Sequence, residues 1–259
     1  MKSLAVTTAQ VVAAVAATAL VYFVLPSRAA SSPSAVAEQL IRASGLTALI
    51  WAYLGLLIGL GASTRLVRFT LVRRSTSLAL HRQLNLVALA LTVVHVASFV
   101  VAPGGSLLVA LVPQTAELGA FAYTLGVLGF YLALLLGPSF YLRHWMGRWA
   151  WLLAHQFAAL SYAAGLWHTL LLGGDVRLDG GIRTSLWVAQ TPLLILFVLR
   201  LSRPRRPADH LEAGFRQPRF ATVQHVRFRF AVHTGVVAAA VIVLCVALVA
   251  ISEGQYPTR

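Results

Sequence analysis

Four histidines are notable because each of them lies within an apolar stretch of the chain. His81 and His95 lie in LALHRQLNLVALALTVVHVASFVV, and His155 and His168 lie in RWAWLLAHQFAALSYAAGLWHTLLL. An ionisable side chain is costly to hold inside a membrane, so four histidines in two such stretches indicate a function. Because two facing neutral imidazoles form an axial ligand set for haem iron, haem binding is the first hypothesis.

The spacing of the histidines fits two pairs at two depths. The steps of 14 residues from His81 to His95 and 13 from His155 to His168 span about 21 Å and about 19.5 Å of helix. Two helices side by side would thus offer one facing pair near each membrane surface. Fourteen residues return to within about 40° of the starting face, but thirteen leave the second histidine about 140° away. The spacing therefore supports the first pair better, unless tilt, rotation or distortion of the helices aligns the second.

The composition predicts an all-α, polytopic membrane helix bundle. The chain has 259 residues, of which 59% are hydrophobic and 11% charged, whereas soluble domains have about 25% charged residues. The net charge of +14 would favour nucleic-acid binding in a soluble protein. Here the charges fall between spans, which predicts contact with membrane lipid and no nucleic acid. Cys245 is the only cysteine, which excludes a disulfide framework, an iron–sulfur set and a cysteine zinc site.

Apolar runs separated by polar or glycine-rich segments predict seven membrane spans. The run at the N-terminus is longer than a signal-peptide core, which favours a retained span over a cleaved signal peptide. The predicted spans cover residues 5–25, 45–63, 78–101, 118–137, 149–172, 185–201 and 230–251. The corresponding organisation is a first span with an outer loop (1–44), a core (45–201), a basic cytoplasmic loop (202–229), and a seventh span with an outer tail (230–259).

The distribution of basic residues predicts which side of the membrane each loop faces. With the N-terminus in the cytoplasm, 16 of the 21 basic residues are cytoplasmic and five lie outside: Arg28, Arg42, Arg177, Arg183 and Arg259. This excess obeys the positive-inside rule and places the C-terminus outside. The third and fifth spans then run parallel, so His81 should pair with His155 near the cytoplasm and His95 with His168 near the outside. The Arg-rich composition is typical of GC-rich bacterial genomes, and we expect a location in the plasma membrane.

The histidine-bearing segments resemble a known family. HRQLNLVALALTVVHV, followed by GRWAWLLAHQFAALSYAAGLWH, resembles the ferric reductase-like transmembrane domain, over about residues 45–201. This family includes ferric reductases, the membrane part of NADPH oxidases and the haem-bearing partner of periplasmic methionine sulfoxide reductase. The resemblance implies a six-span core, completed by the first span, in which His81, His95, His155 and His168 hold two stacked b haems. It also implies electron transfer from the cytoplasmic haem to the outer haem and on to an external acceptor.

The resemblance does not extend to a source of electrons. Only 58 residues follow Leu201, and they contain no glycine-rich dinucleotide fingerprint. We therefore expect an oxidoreductase component whose donor is a separate cytoplasmic flavoprotein or a quinol, so that any flavin or quinone comes with a partner. The seventh span lies outside the six-span pattern.

Two arginines beside the histidines are candidate partners for the propionates of the inner haem. They are Arg82, which follows His81, and Arg148, at the start of the fifth span. Snorkelling towards the membrane surface is an equally good explanation of both. Two alternative functions also remain: a quinol-linked cytochrome b subunit, and a haem-free transporter or channel that uses the histidines as a relay.

Overall fold

A computed structural model describes residues 2–24, 33–64, 74–113, 119–146 and 148–202. The predicted basic loop from residue 203 onward and the seventh span (230–251) lie outside the described residues. Within the described residues the chain is helical and forms no strand. The helices are α1 (Lys2–Val24), α2 (Pro33–Thr64), α3 (Arg74–Val101), α4 (Leu107–Leu111), α5 (Ala120–Leu136), α6 (Ser139–Met146), α7 (Arg148–Gln156), α8 (Ala158–Leu172), α9 (Gly174–Leu178) and α10 (Gly180–Ser202).

Several helices are long and apolar enough to cross a membrane. Among the described residues, four stretches meet both conditions, namely Val36–Thr64, Thr76–Val101, Ala120–Leu142 and Gly180–Ser202. The apolar part of α1 is shorter, at Val12–Val24, and the predicted fifth span is divided between α7 and α8. Large apolar side chains such as Leu135, Val188 and Val198 point outward, as the lipid-facing surface of a bundle requires. These features confirm the prediction of a multi-pass, all-helical membrane protein.

Two predicted loops contain helix. Residues 33–44 were expected within the outer loop, but they form the first turns of α2, which begins at Pro33. Proline is well suited to the first helical position because its missing N–H would have no partner there. The predicted outer turn after α8 likewise contains α9, and α10 begins at Gly180. The helix α10 continues through Pro192.

The bundle is built from two closely packed helix pairs. α2 packs along α3, and α5 packs along α8; α2 also contacts α1, α8 and α10. Leu49 of α2, Leu125 of α5 and Trp167 of α8 belong to one buried apolar cluster. Each histidine-bearing segment thus has a neighbouring helix that carries no candidate ligand.

Contacts at the two ends of the bundle bring together segments predicted to share a side of the membrane. At one end, Arg42 of α2 forms an ion pair with Asp175 of α9. At the other end, the guanidinium of Arg82 on α3 lies 4.5 Å from the ring centre of Phe140 on α6. We call these the outer end and the inner end, after the predicted topology.

Candidate functional site

The four histidines form two facing pairs. The imidazole of His81 lies opposite that of His155, with ring centroids 5.9 Å apart and ring planes at 90°. His95 lies opposite His168, with centroids 6.2 Å apart and planes at 83°. These are the pairings that parallel third and fifth spans predict, with one pair towards each end of the bundle.

The distances between the rings leave room for one metal ion between each pair. If two imidazole nitrogens bind a metal from opposite sides at about 2.0 Å, and each ring centre lies about 1.15 Å behind its nitrogen, the centroids are roughly 6.3 Å apart. The observed 5.9 Å and 6.2 Å are close to this value. Among the described residues no three or more histidine, cysteine or acidic side chains cluster as a metal site. Two imidazoles are too few for a typical zinc site but are the full protein contribution to a haem iron, whose porphyrin supplies four nitrogens.

The fifth span is interrupted between its two histidines. α7 ends at Gln156 and α8 begins at Ala158, so the helix is interrupted at Phe157, between the two histidines. The N–H of Phe157 donates to the carbonyl of Ala154, three residues back, at 3.0 Å, which is a tighter turn than α-helix. One such turn adds about 20° of rotation, which is only a small part of the mismatch of about 140° expected of a straight helix. No glycine or proline marks the position in LAHQFAAL.

Three of the imidazoles are anchored to backbone carbonyls of neighbouring helices. Nδ1 of His81 lies 2.7 Å from the carbonyl oxygen of Gly55, Nδ1 of His95 lies 2.8 Å from that of Ile41, and Nδ1 of His168 lies 2.9 Å from that of Ala122. A carbonyl oxygen can only accept, so a hydrogen bond between it and Nδ1 requires Nδ1 to carry the proton. At His81 the amide Nδ2 of Asn85 also lies 3.2 Å from Nδ1, and it donates to the carbonyl of His81 at 2.6 Å. Nε2 is then the unprotonated nitrogen, the form in which histidine binds a metal.

His155 is held in a different way. Its ring stacks on the indole of Trp151, one turn earlier, with centroids 5.1 Å apart and an interplanar angle of 16°. At the outer pair, the ring of Tyr123 lies 6.4 Å from that of His168 and 6.0 Å from that of Phe99. The histidines are thus bordered by aromatic side chains, which the sequence alone did not single out.

One cavity connects the two histidine pairs. It has a volume of about 1500 Å³ and all four histidines line it. It extends from Arg42 and Asp175 at the outer end to Phe140 and Arg200 at the inner end. Single small-molecule sites usually measure about 300–1,000 Å³, so this cavity is large enough for more than one such group.

Of the two arginines that were predicted to pair with haem propionates, the structure describes the side chain of one. Arg82 lines the cavity and lies over the ring of Phe140, so it is near the inner pair as expected. Arg148 is the first residue of α7, but its side chain lies outside what the structure describes. Arg200, in the last turn of α10, also lines the cavity. The sequence did not single it out, because a basic residue at the end of a span is common.

Comparisons of the chain with protein-family models, with curated proteins and with solved structures found no match.

Proposed function

We propose that this protein carries electrons across a membrane through two b haems, each held by one histidine pair. The facing imidazoles at 5.9 Å and 6.2 Å within one cavity are the observation on which the proposal depends. Haem, when bound, supplies one-electron chemistry at its iron. The donor would be a cytoplasmic flavoprotein or a quinol, and the acceptor would lie outside, as the resemblance to ferric reductase-like membrane domains implies.

The residues present fit such a group in three respects. Their donor set is two imidazoles per site, with Nε2 available at His81, His95 and His168. The helices facing these rings have glycines where any side chain would collide with the imidazole. At the inner end, Arg82 lines the cavity and would supply a cation for a propionate.

The chain would serve electron transfer by fixing its ligands and excluding water. α3 spaces His81 and His95 by 14 residues, or about 21 Å, and His155 and His168 lie opposite them. Apolar side chains such as Leu49 and Trp167 pack around the site, which keeps water away and lowers the local dielectric. Backbone carbonyls hold the imidazoles of three ligands in one tautomer.

A proton relay fits this geometry less well. The two pairs are separated by a helix step of about 21 Å along α3, much longer than a hydrogen bond. Among the described residues, Nδ1 of His81, His95 and His168 is already bonded to a carbonyl. A bonded Nδ1–H leaves only one nitrogen per ring for proton exchange.

Electron transfer across a sealed vesicle tests the proposal. Purified protein would be reconstituted with haem into lipid vesicles loaded with ferricyanide, and dithionite would be added outside. We expect the internal ferricyanide to be reduced faster than in empty vesicles and faster than with a His81→Ala/His95→Ala variant. Equal rates in all three preparations would refute transmembrane electron transfer.

A further inference from the structure

A repeated structural feature accompanies each of the three anchored histidines. In each case the carbonyl that accepts the Nδ1 hydrogen bond is followed four residues later by a glycine on the same helix. The acceptors are Ile41, Gly55 and Ala122, and the corresponding glycines are Gly45, Gly59 and Gly126. In an α-helix each carbonyl accepts a hydrogen bond from the N–H four residues later, so each of these carbonyls also accepts from the N–H of the glycine that follows it. The oxygen therefore accepts the bond from the imidazole in addition to the bond within its helix.

Each of these glycines leaves space that the imidazole occupies. A Cβ atom at Gly45 would lie 2.8 Å from Nδ1 of His95, and one at Gly59 would lie 2.7 Å from Cε1 of His81. A Cβ atom at Gly126 would lie 2.6 Å from Nδ1 of His168. Real Cβ atoms do not approach so closely, so any side chain here would push the ring away from its carbonyl.

These glycines therefore make room for histidine side chains, so close packing of the helices is not their only effect. Glycine is common where membrane helices pack closely, and Gly129 of α5 is such a case, since its nearest neighbour would be Cβ of Ala164 on α8 at 3.3 Å. Gly45, Gly59 and Gly126 differ because the atoms they accommodate belong to histidines. Gly45 and Gly59 are also 14 residues apart on α2, which matches the step between His95 and His81 on α3.

We propose that Gly45, Gly59 and Gly126 are positioning residues that hold three of the four haem ligands as Nδ1–H tautomers with strengthened donation from Nε2. The inference depends on the proposed function. Hydrogen bonding from a ligand's second N–H raises its basicity, and a stronger donor stabilises ferric over ferrous iron. Among the described residues His155 has no such bond, so the outer pair has two carbonyl anchors and the inner pair has one. The two haems therefore differ electronically although both have two histidine ligands.

The test is a set of single glycine-to-alanine variants examined by redox titration. A ring moved by half an ångström or more loses a bond of 2.7–2.9 Å, since such bonds weaken beyond about 3.2 Å. We expect Gly45→Ala and Gly126→Ala to shift the same haem, and Gly59→Ala to shift the other. Each should favour ferrous iron about tenfold, which is about 59 mV for one electron. Gly129→Ala is the matched control, since it crowds α5 against α8 without touching an imidazole, and we expect it to leave both potentials unchanged.

A second measurement needs no haem. In haem-free protein labelled with ¹⁵N-histidine, NMR should show a protonated Nδ1 at His81, His95 and His168, and Gly59→Ala should alter the His81 signal alone. The inference is overturned if the native protein binds two haems but these variants titrate like Gly129→Ala, or if Nε2 carries the proton in the haem-free protein. If the native protein binds no haem while the tautomers are as expected, the proposed function fails instead.

Discussion

We expect the Asp175→Asn substitution to destabilise the protein strongly, although Asp175 is not one of the four paired histidines. Arg42 and Asp175 join α2 to α9 at the outer end, with side chains only 11% and 10% exposed. Nε of Arg42 donates to Oδ2 of Asp175 at 2.6 Å, and Nη2 donates to Oδ1. Nη1 of Arg42 also donates to Gln39 at 2.9 Å. The pair is therefore bidentate and largely shielded from solvent, so that removing one member is costly.

The magnitude follows from removing the carboxylate charge that faces the guanidinium of Arg42. Removing one member of a buried ion pair costs about 3–5 kcal/mol, and the amide of asparagine keeps the shape of aspartate, so we expect about 3 kcal/mol. At about 2–4 °C per kcal/mol for a chain of this size, the melting temperature should fall by about 6–12 °C. Replacing both residues with apolar ones, as in Arg42→Met/Asp175→Leu, should cost less than the sum of the single changes, because no buried charge remains.

Thermal unfolding in detergent, followed by circular dichroism, would measure these effects. Asp179→Asn is the matched control because Oδ1 of Asp179 accepts from the N–H groups of Gly181 at 2.8 Å and Ile182 at 3.3 Å. Asparagine caps a helix as well as aspartate, so we expect a change below about 0.5 kcal/mol. The reasoning is refuted if Asp175→Asn melts within about 1 °C of the control variant, or if the double variant loses as much stability as the two single variants combined.

Three further predictions concern topology, the electron donor and the ligand pairs. Tags at the N-terminus and in segment 203–229 should be protected from impermeant reagents added outside, because 16 of 21 basic residues are placed inside; outside labelling of 203–229 would invert the topology. NADH or NADPH alone should not reduce the purified protein, since the chain has no dinucleotide fingerprint, whereas an added flavin reductase or quinol should; rapid reduction by NADPH alone would reveal a missed site. His81→Ala and His155→Ala should remove the same redox component, and His95→Ala and His168→Ala the other; loss of different components within either pair would contradict the observed pairing.

The sequence predicted the large-scale organisation because hydropathy and charge act over whole spans. Apolar runs located most of the long helices, and the step of 14 residues between His81 and His95 placed these two histidines close to one face. The parallel direction of the third and fifth spans then predicted the pairs that the structure brings together. Whether those pairs bind haem stays a prediction, as do the side of the membrane that each end faces and the seventh span.

The details that position the ligands were less accessible from the sequence. The start of α2 at Pro33 was missed because a serine- and alanine-rich stretch is typical of a loop. Pro33 itself favours a helix start. The break at Phe157 was not predicted because no glycine or proline lies at that position. The bonds from Nδ1 to carbonyls depend on two helices at once, and only the equal 14-residue steps of the glycines on α2 and the histidines on α3 hinted at them.

The central claim is that two facing histidine pairs hold two haems, and the number of haems per chain tests it most directly. Protein purified from cells supplied with haem would be quantified for bound haem and examined by its dithionite-reduced minus oxidised spectrum. We predict two b haems per chain with sharp reduced b-type bands, and one haem per chain when a single pair is removed, as in His81→Ala/His155→Ala or His95→Ala/His168→Ala. A colourless native protein, or variants that keep the full haem content and an unchanged spectrum, would contradict the assignment.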